Sequence, residues 1–185
     1  SGALYRATAL AAQDAGIDLD DEAALARLAA GLPVSFQDHR IFLAGRDITD
    51  PLRLESTGGM ASRVSRHPAV RQALHGLQLS FRRLPGLVAD GRDMGTVVFP
   101  AAPLKVYLTA SAEQRAQRRY KQLISKGNPA NIADLLVDLR MRDERDSSRA
   151  VAPLKPAEDA LLLDNSDMGI EPSVQQVLDW WQGKS

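Results

Sequence analysis

At 185 residues, with 44% apolar and 25% charged side chains, the chain is long enough to bury one sizeable core and has the make-up of an ordinary globular protein, which excludes disordered and fibrous classes. Its apolar runs fall short of the ~18 residues of a spanning helix and no export signal opens it, so the expected location is the cytoplasm; with no cysteine, disulfide and thiolate metal sites are excluded. A formal net charge of zero argues against a duplex nucleic-acid binder, and the three histidines, His39, His67 and His75, are too scattered for a metal site.

In chain order, residues 2–13 predict a helix closed by Gly16, and Asp20 is expected to cap a second one, with Leu25 and Leu28 on one face and Gly31 as its stop. Alternation of Val34 and Phe36, then Ile41 and Leu43, around turn residues Asp38 and Gly45 predicts short antiparallel strands. The run "STGGM" at 56–60 reads as a flexible joint, after which Pro68 starts a helix carrying Val70, Leu74, Leu77 and Phe81 at helical spacing. Past Pro85 and Gly86 the pattern becomes strand (87–89), strand (105–110), then a helix opened by Ser111 with Gln114 as a capping box. A further helix with Ile132, Leu135, Leu136 and Leu139 inward, a strand at 160–164 and a helix lined by Val174, Val177, Leu178 and Trp181 complete the chain. Buried strands alternating with helices predict an α/β fold with a parallel sheet, whose ligands bind at the carboxyl ends of strands.

The charges are unevenly spread. Residues 61–92 hold six arginines against one acid, and 115–149 hold nine lysines and arginines against five acids, which suits a cleft for a small polyanion inside a neutral molecule. Three constellations carry these charges. Asp90, Arg92 and Asp93 read either as a turn with a local ion pair or as an Arg fork for phosphate beside a carboxylate acceptor. Arg142, Asp146 and Arg149 fall at i, i+4 and i+7, either a solvated helix face or, with Ser147, Ser148 and the Pro-bounded stretch after them, a basic lid. Ser62, Arg63, Arg66 and Arg71 read by themselves as helix capping and surface charge.

Taken together, "SGALYRATALAA", "ASRVSRHPAVR", "VADGRDMGTVVFPAAPLKVYLTASAEQRAQRRYKQL" and "RDERDSSRAVAPLKPAEDALLLDNSDM" make the sequence resemble bacterial cytidylate kinases over essentially its whole length. The resemblance implies the P-loop nucleoside monophosphate kinase fold, with a five-stranded parallel core. It implies core helices at 1–30, a monophosphate-binding insertion at 31–62, core at 63–114, a lid at 115–150 and core again at 151–185. The activity implied is phosphorylation of CMP and dCMP by ATP with Mg²⁺, in a monomer with no nucleic-acid or membrane partner and no metal ligands in this chain.

Residue by residue, the resemblance sets the cytosine against Ser62, Arg71 and Asp93. This is chemically sensible, because the exocyclic amine donates to a carboxylate while the carbonyl and ring nitrogen need donors. Arg6 and Arg92 are implied to hold the CMP phosphate, with Ser1 and Tyr5 lining that site, and Asp146 to accept from a sugar hydroxyl. Arg142, Arg149 and Arg118 are implied to close over the transferring phosphoryl group, with Arg92, Arg142 and Arg149 as the catalytic set, since phosphoryl transfer asks for positioning and charge neutralisation. The family's Gly-rich loop ending in Gly-Lys does not occur at Gly58-Gly59 or at 91–95. By comparison with the family pattern, roughly 30 to 35 residues carrying that loop and the central strand are expected upstream of Ser1 in a full chain. A non-catalytic CMP-binding module is the alternative expectation.

Overall fold

In the computed structural model, residues 1–125, 127–148 and 154–183 are described, and the chain divides into two units, Ser1–Met94 and Gly95–Ser185. The first is built around helix α1 (Gly2–Asp14). Leu4, Tyr5, Ala7, Thr8, Ala9, Leu10 and Ala12 are all buried, and the small alanines let neighbours come close on several sides. Gly16, at φ +65, takes the left-handed conformation that ends the run. Helix α2 (Glu22–Ala30) is capped by Asp21, not Asp20: the Asp21 carboxylate accepts from the Ala24 N–H at 2.9 Å. Asp20 lies one residue too early and is drawn instead to Arg63, at 3.1 Å, and to Arg66.

Strands β1 (Val34–Gln37), β2 (Arg40–Leu43) and β3 (Arg46–Asp47) form an antiparallel sheet in the order β1-β2-β3. Val34 pairs with Leu43 and Phe36 with Ile41, so the alternating apolar residues share a face. Asp38 and His39 both have positive φ, as a two-residue hairpin turn of the primed type requires. A 3₁₀ turn (Pro51–Arg53) leads into α3 (Glu55–Val64). The expected flexible joint at 56–60 is therefore helix. Thr57, Ala61 and Val64, at i, i+4 and i+7, face inward, and burial of that face outweighs the helix-weakening glycines. Helix α4 (Pro68–Ser80) buries Val70 and Leu74 as expected, and Phe81 beyond its end packs edge-on against Phe36 at 5.5 Å. Leu25, Ile48, Val64, Val70 and Leu74 are fully enclosed at the centre of this unit.

Residues 87–89 are not a strand. They pair with none of the described strands, and Val88 is 100% exposed: an apolar run becomes a strand only where another strand hydrogen-bonds to it. After one wide turn of π type (Met94–Val98), the second unit pairs β4 (Val106–Thr109) in parallel with β5 (Leu161–Asp164), Val106 opposite Leu161 through Thr109 opposite Asp164. Of the five parallel strands the resemblance implies, these two stand among the described residues. Helices α5 (Ala112–Ile124) and α6 (Ile132–Ser147) lie between them in sequence and pack on each other. Ser111 caps α5 by accepting from the Gln114 N–H at 3.2 Å. On α6, Leu135 is buried but Ile132 is exposed, because it falls in the first turn beside the Asn131 cap. Helix α7 (Ile170–Gln182) buries no residue completely, and its Val174, Leu178 and Trp181 are about half exposed.

Candidate functional site

Within the first unit, α1, α4 and the stretch 90–93 bring Tyr5, Arg71 and Asp93 of the expected substrate residues into contact. The Arg71 guanidinium, from the first turn of α4, pairs with the Asp93 carboxylate, and the two side chains are only 12% and 6% exposed. A second Arg71 nitrogen donates to the Ser65 carbonyl at 3.2 Å, and the guanidinium stands over the Tyr5 ring, 5.7 Å from its centroid. Ser62, one turn ahead of Ser65 on α3, is half-buried, and its carbonyl accepts from the Ser65 hydroxyl at 3.2 Å. Ser1 rests on the same stretch of chain. Its backbone nitrogen donates to the Asp90 carbonyl at 2.7 Å, and a Cβ at Gly91 would overlap its Oγ. Gly91 thus permits a close approach that another residue would block.

Asp93 is accordingly held by an arginine from another helix, and not by a strand end as the sequence pattern predicts. Arg92 is half-buried beside it. Arg63 and Arg66 answer the bland reading, pairing with Asp18 and Asp20 at the surface, whereas Arg71 does not.

Arg6 occupies a cradle that sequence reasoning misses. One of its terminal nitrogens donates to the carbonyls of Leu52, at 2.6 Å, and Leu54, at 3.1 Å. Its guanidinium lies against the backbone of Gly58, where an added Cβ would stand 2.9 Å from Nη2 and 3.3 Å from Cζ. Thr57 ties the cradle together by donating to the Pro51 carbonyl at 2.8 Å. The available signal was the inward spacing of Thr57, Ala61 and Val64, which marks a helix through the two glycines.

In the second unit, Asp146 is 2% exposed and faces Arg142 one turn earlier at 3.8 Å. Arg149 lies outside the described residues. Arg118 holds the loop after β5: it donates to the Asn165 side chain at 3.0 Å, and its other terminal nitrogen to the Asn165 carbonyl and to those of Ser166 at 3.4 Å and Met168 at 3.3 Å. Asp164 closes that loop. Its carboxyl is held below its ordinary value because the Ser166 hydroxyl and then the Ser166 N–H donate to it. Arg115 grips Asp143 with both terminal nitrogens and joins α5 to α6, and this pairing raises its own pKa. Among the described residues, no three acidic or histidine side chains stand together as a metal site, and no helix is long and apolar enough to cross a membrane.

The chain is thus an α/β protein whose first unit carries a buried Arg-Asp pair backed by a tyrosine and an arginine held in a backbone cradle, and whose second unit carries a helix pair rich in arginine and a two-stranded parallel sheet. The profile of the cytidylate kinase family matches residues 1–182. A cytidylate kinase of Cupriavidus necator is 60% identical over 181 residues, covering 98% of this chain and 82% of that protein. The cytidylate kinase of Bordetella bronchiseptica is 57% identical over 182 residues, with the same two shares, and that of Pseudomonas aeruginosa 56% over 184, covering 96% and 80%. The chain belongs to the cytidylate kinase family.

Proposed function

We propose that this protein transfers the γ-phosphoryl group of ATP to CMP and dCMP, and that the residues around Arg71 and Asp93 read the cytosine. The observation that carries the reading is the buried Arg71-Asp93 pair. A carboxylate there accepts from the exocyclic amine of cytosine, while Arg71 and the Ser62 hydroxyl supply donors for its carbonyl and ring nitrogen. Uracil would turn a carbonyl towards Asp93, and a buried acceptor facing an acceptor is costly enough to discriminate strongly.

Arg6 and Arg92, beside Ser1 and Tyr5, hold the acceptor phosphate in this reading. Because two carbonyls fix the Arg6 head group, its geometry is set before the ligand arrives. The hairpin region 31–62 serves as the monophosphate-binding insertion, and 115–150 as the lid. From the lid, Asp146 takes a sugar hydroxyl, and Arg142 and Arg149 neutralise charge developing on the transferred group. Arg118 supports this end of the site by ordering the loop at 165–168. Mg²⁺ belongs to the reading as the companion of ATP, because a divalent cation between the β- and γ-phosphates neutralises the charge that develops during phosphoryl transfer. The protein acts as a cytoplasmic monomer.

The test is phosphorylation by the full chain with ATP and Mg²⁺, offered CMP, dCMP and UMP in parallel. CMP and dCMP should be converted well ahead of UMP. Equal conversion of UMP would remove the role given to Asp93.

A further inference from the structure

Gly58 stands inside helix α3, where glycine is less favourable than alanine. Its neighbour Gly59 carries the same cost with open space around it, since a Cβ there would meet nothing within 4 Å. At Gly58 the space is taken: an added Cβ would meet Arg6 at three atoms, Nη2 at 2.9 Å, Cζ at 3.3 Å and Nη1 at 3.4 Å. All three belong to one planar head group, so the guanidinium lies close against the bare backbone of α3, its Nη2 nearest. The Leu52 and Leu54 carbonyls hold its Nη1, and the buried Thr57 side chain ties the first turn of α3 to the 3₁₀ turn that carries Leu52.

We infer that Gly58 is a positioning residue for the phosphate of the nucleotide acceptor: its missing side chain is what allows the Arg6 guanidinium to lie in its cradle at the phosphate-binding end of the site. The inference rests on the proposed role of Arg6. The colliding atoms are the far end of a flexible side chain, so Gly58→Ala leaves the fold intact and helix α3 no weaker, while the head group moves by about half an ångström. An arginine-phosphate contact is charge-assisted and depends on the alignment of the fork, so a displacement of that size is expected to cost roughly tenfold in CMP binding.

The experiment measures binding of CMP and of cytidine to the full chain carrying Gly58→Ala, Gly59→Ala or Arg6→Ala, with thermal melting of each. Gly58→Ala should weaken CMP roughly tenfold, leave cytidine unchanged and melt no lower than the parent. Gly59→Ala should leave both ligands unchanged. If Arg6→Ala weakens CMP but Gly58→Ala behaves like Gly59→Ala, the positioning role is wrong and the phosphate role of Arg6 stands. An Arg6→Ala variant that binds CMP like the parent overturns both. If Gly58→Ala weakens cytidine as much as CMP, or melts lower, Gly58 serves the fold and not the phosphate.

Discussion

Removing Asp93 tests the site where packing and recognition meet. Asp93→Ala takes the carboxylate from beside a guanidinium that is only 12% exposed, and breaking a buried pair from one side typically costs about 3–5 kcal/mol, because a desolvated charge is left behind. Arg71 keeps the Ser65 carbonyl and the face of Tyr5, so the low end, about 3 kcal/mol, is expected, roughly two decades in the folding equilibrium. Arg71→Ala should cost a similar amount by stranding Asp93. The double variant strands neither charge and should cost about 2 kcal/mol less than the sum of the two, a coupling readable from urea denaturation with unchanged slopes. Additive losses would mean that the two groups do not act as a pair, and the account of the base pocket would lose its basis. Asp93→Asn adds a sharper reading, since a carboxamide can both donate and accept. It should narrow the preference for CMP over UMP, and an unaltered preference would place recognition elsewhere.

Arg115→Ala should lower stability by about 1 kcal/mol in urea denaturation, because it undoes a two-pronged pair whose side chains are about one-third exposed. Gly16→Ala should cost about 1 kcal/mol in the same assay, the penalty for a side chain at φ +65. Asp20, Asp47, Glu113 and Asp164 all have lowered pKa values in the fold: a hydrogen bond from Arg63 acts on Asp20, from Thr49 on Asp47, from its own backbone and Arg140 on Glu113, and from Ser166 on Asp164. Each favours the folded state when ionised, so this contribution is complete above the ordinary values of 3.8 and 4.5 and is lost as pH falls through the lower folded values. Melting followed downward in pH should show that loss, and Asp164→Asn should remove the part of it that Asp164 contributes. Arg149→Ala should lower kcat with the KM for CMP little changed; the opposite pattern would move it to the acceptor side.

Local rules carried the small elements. Val34, Phe36, Ile41 and Leu43 alternate around a turn with positive-φ residues, and period and turn chemistry together determine a hairpin without reference to the rest of the chain. Ser111 capped its helix for the same reason. Reading failed where a residue's meaning depends on a distant neighbour. Gly58 and Gly59 look like a hinge because glycine weakens helices, but Gly58 answers to Arg6, fifty-two positions earlier, and nothing within its own segment says so. The run at 87–89 has the composition of a strand, yet a strand exists only with a partner. Asp93 was found as a candidate for the wrong local reason, a strand end, and its actual support comes from Arg71 on α4, which the pattern alone assigned to surface charge. The resemblance supplied that link before the fold did, because a family pattern carries long-range pairing that periodicity does not.

Selection of cytosine by the Arg71-Asp93 pair can be measured by calorimetric titration of this 185-residue chain with CMP and UMP, after circular dichroism shows it folded. CMP should bind, and UMP should bind roughly tenfold or more weakly. Equal binding of the two, or a folded chain that binds UMP and not CMP, would contradict it.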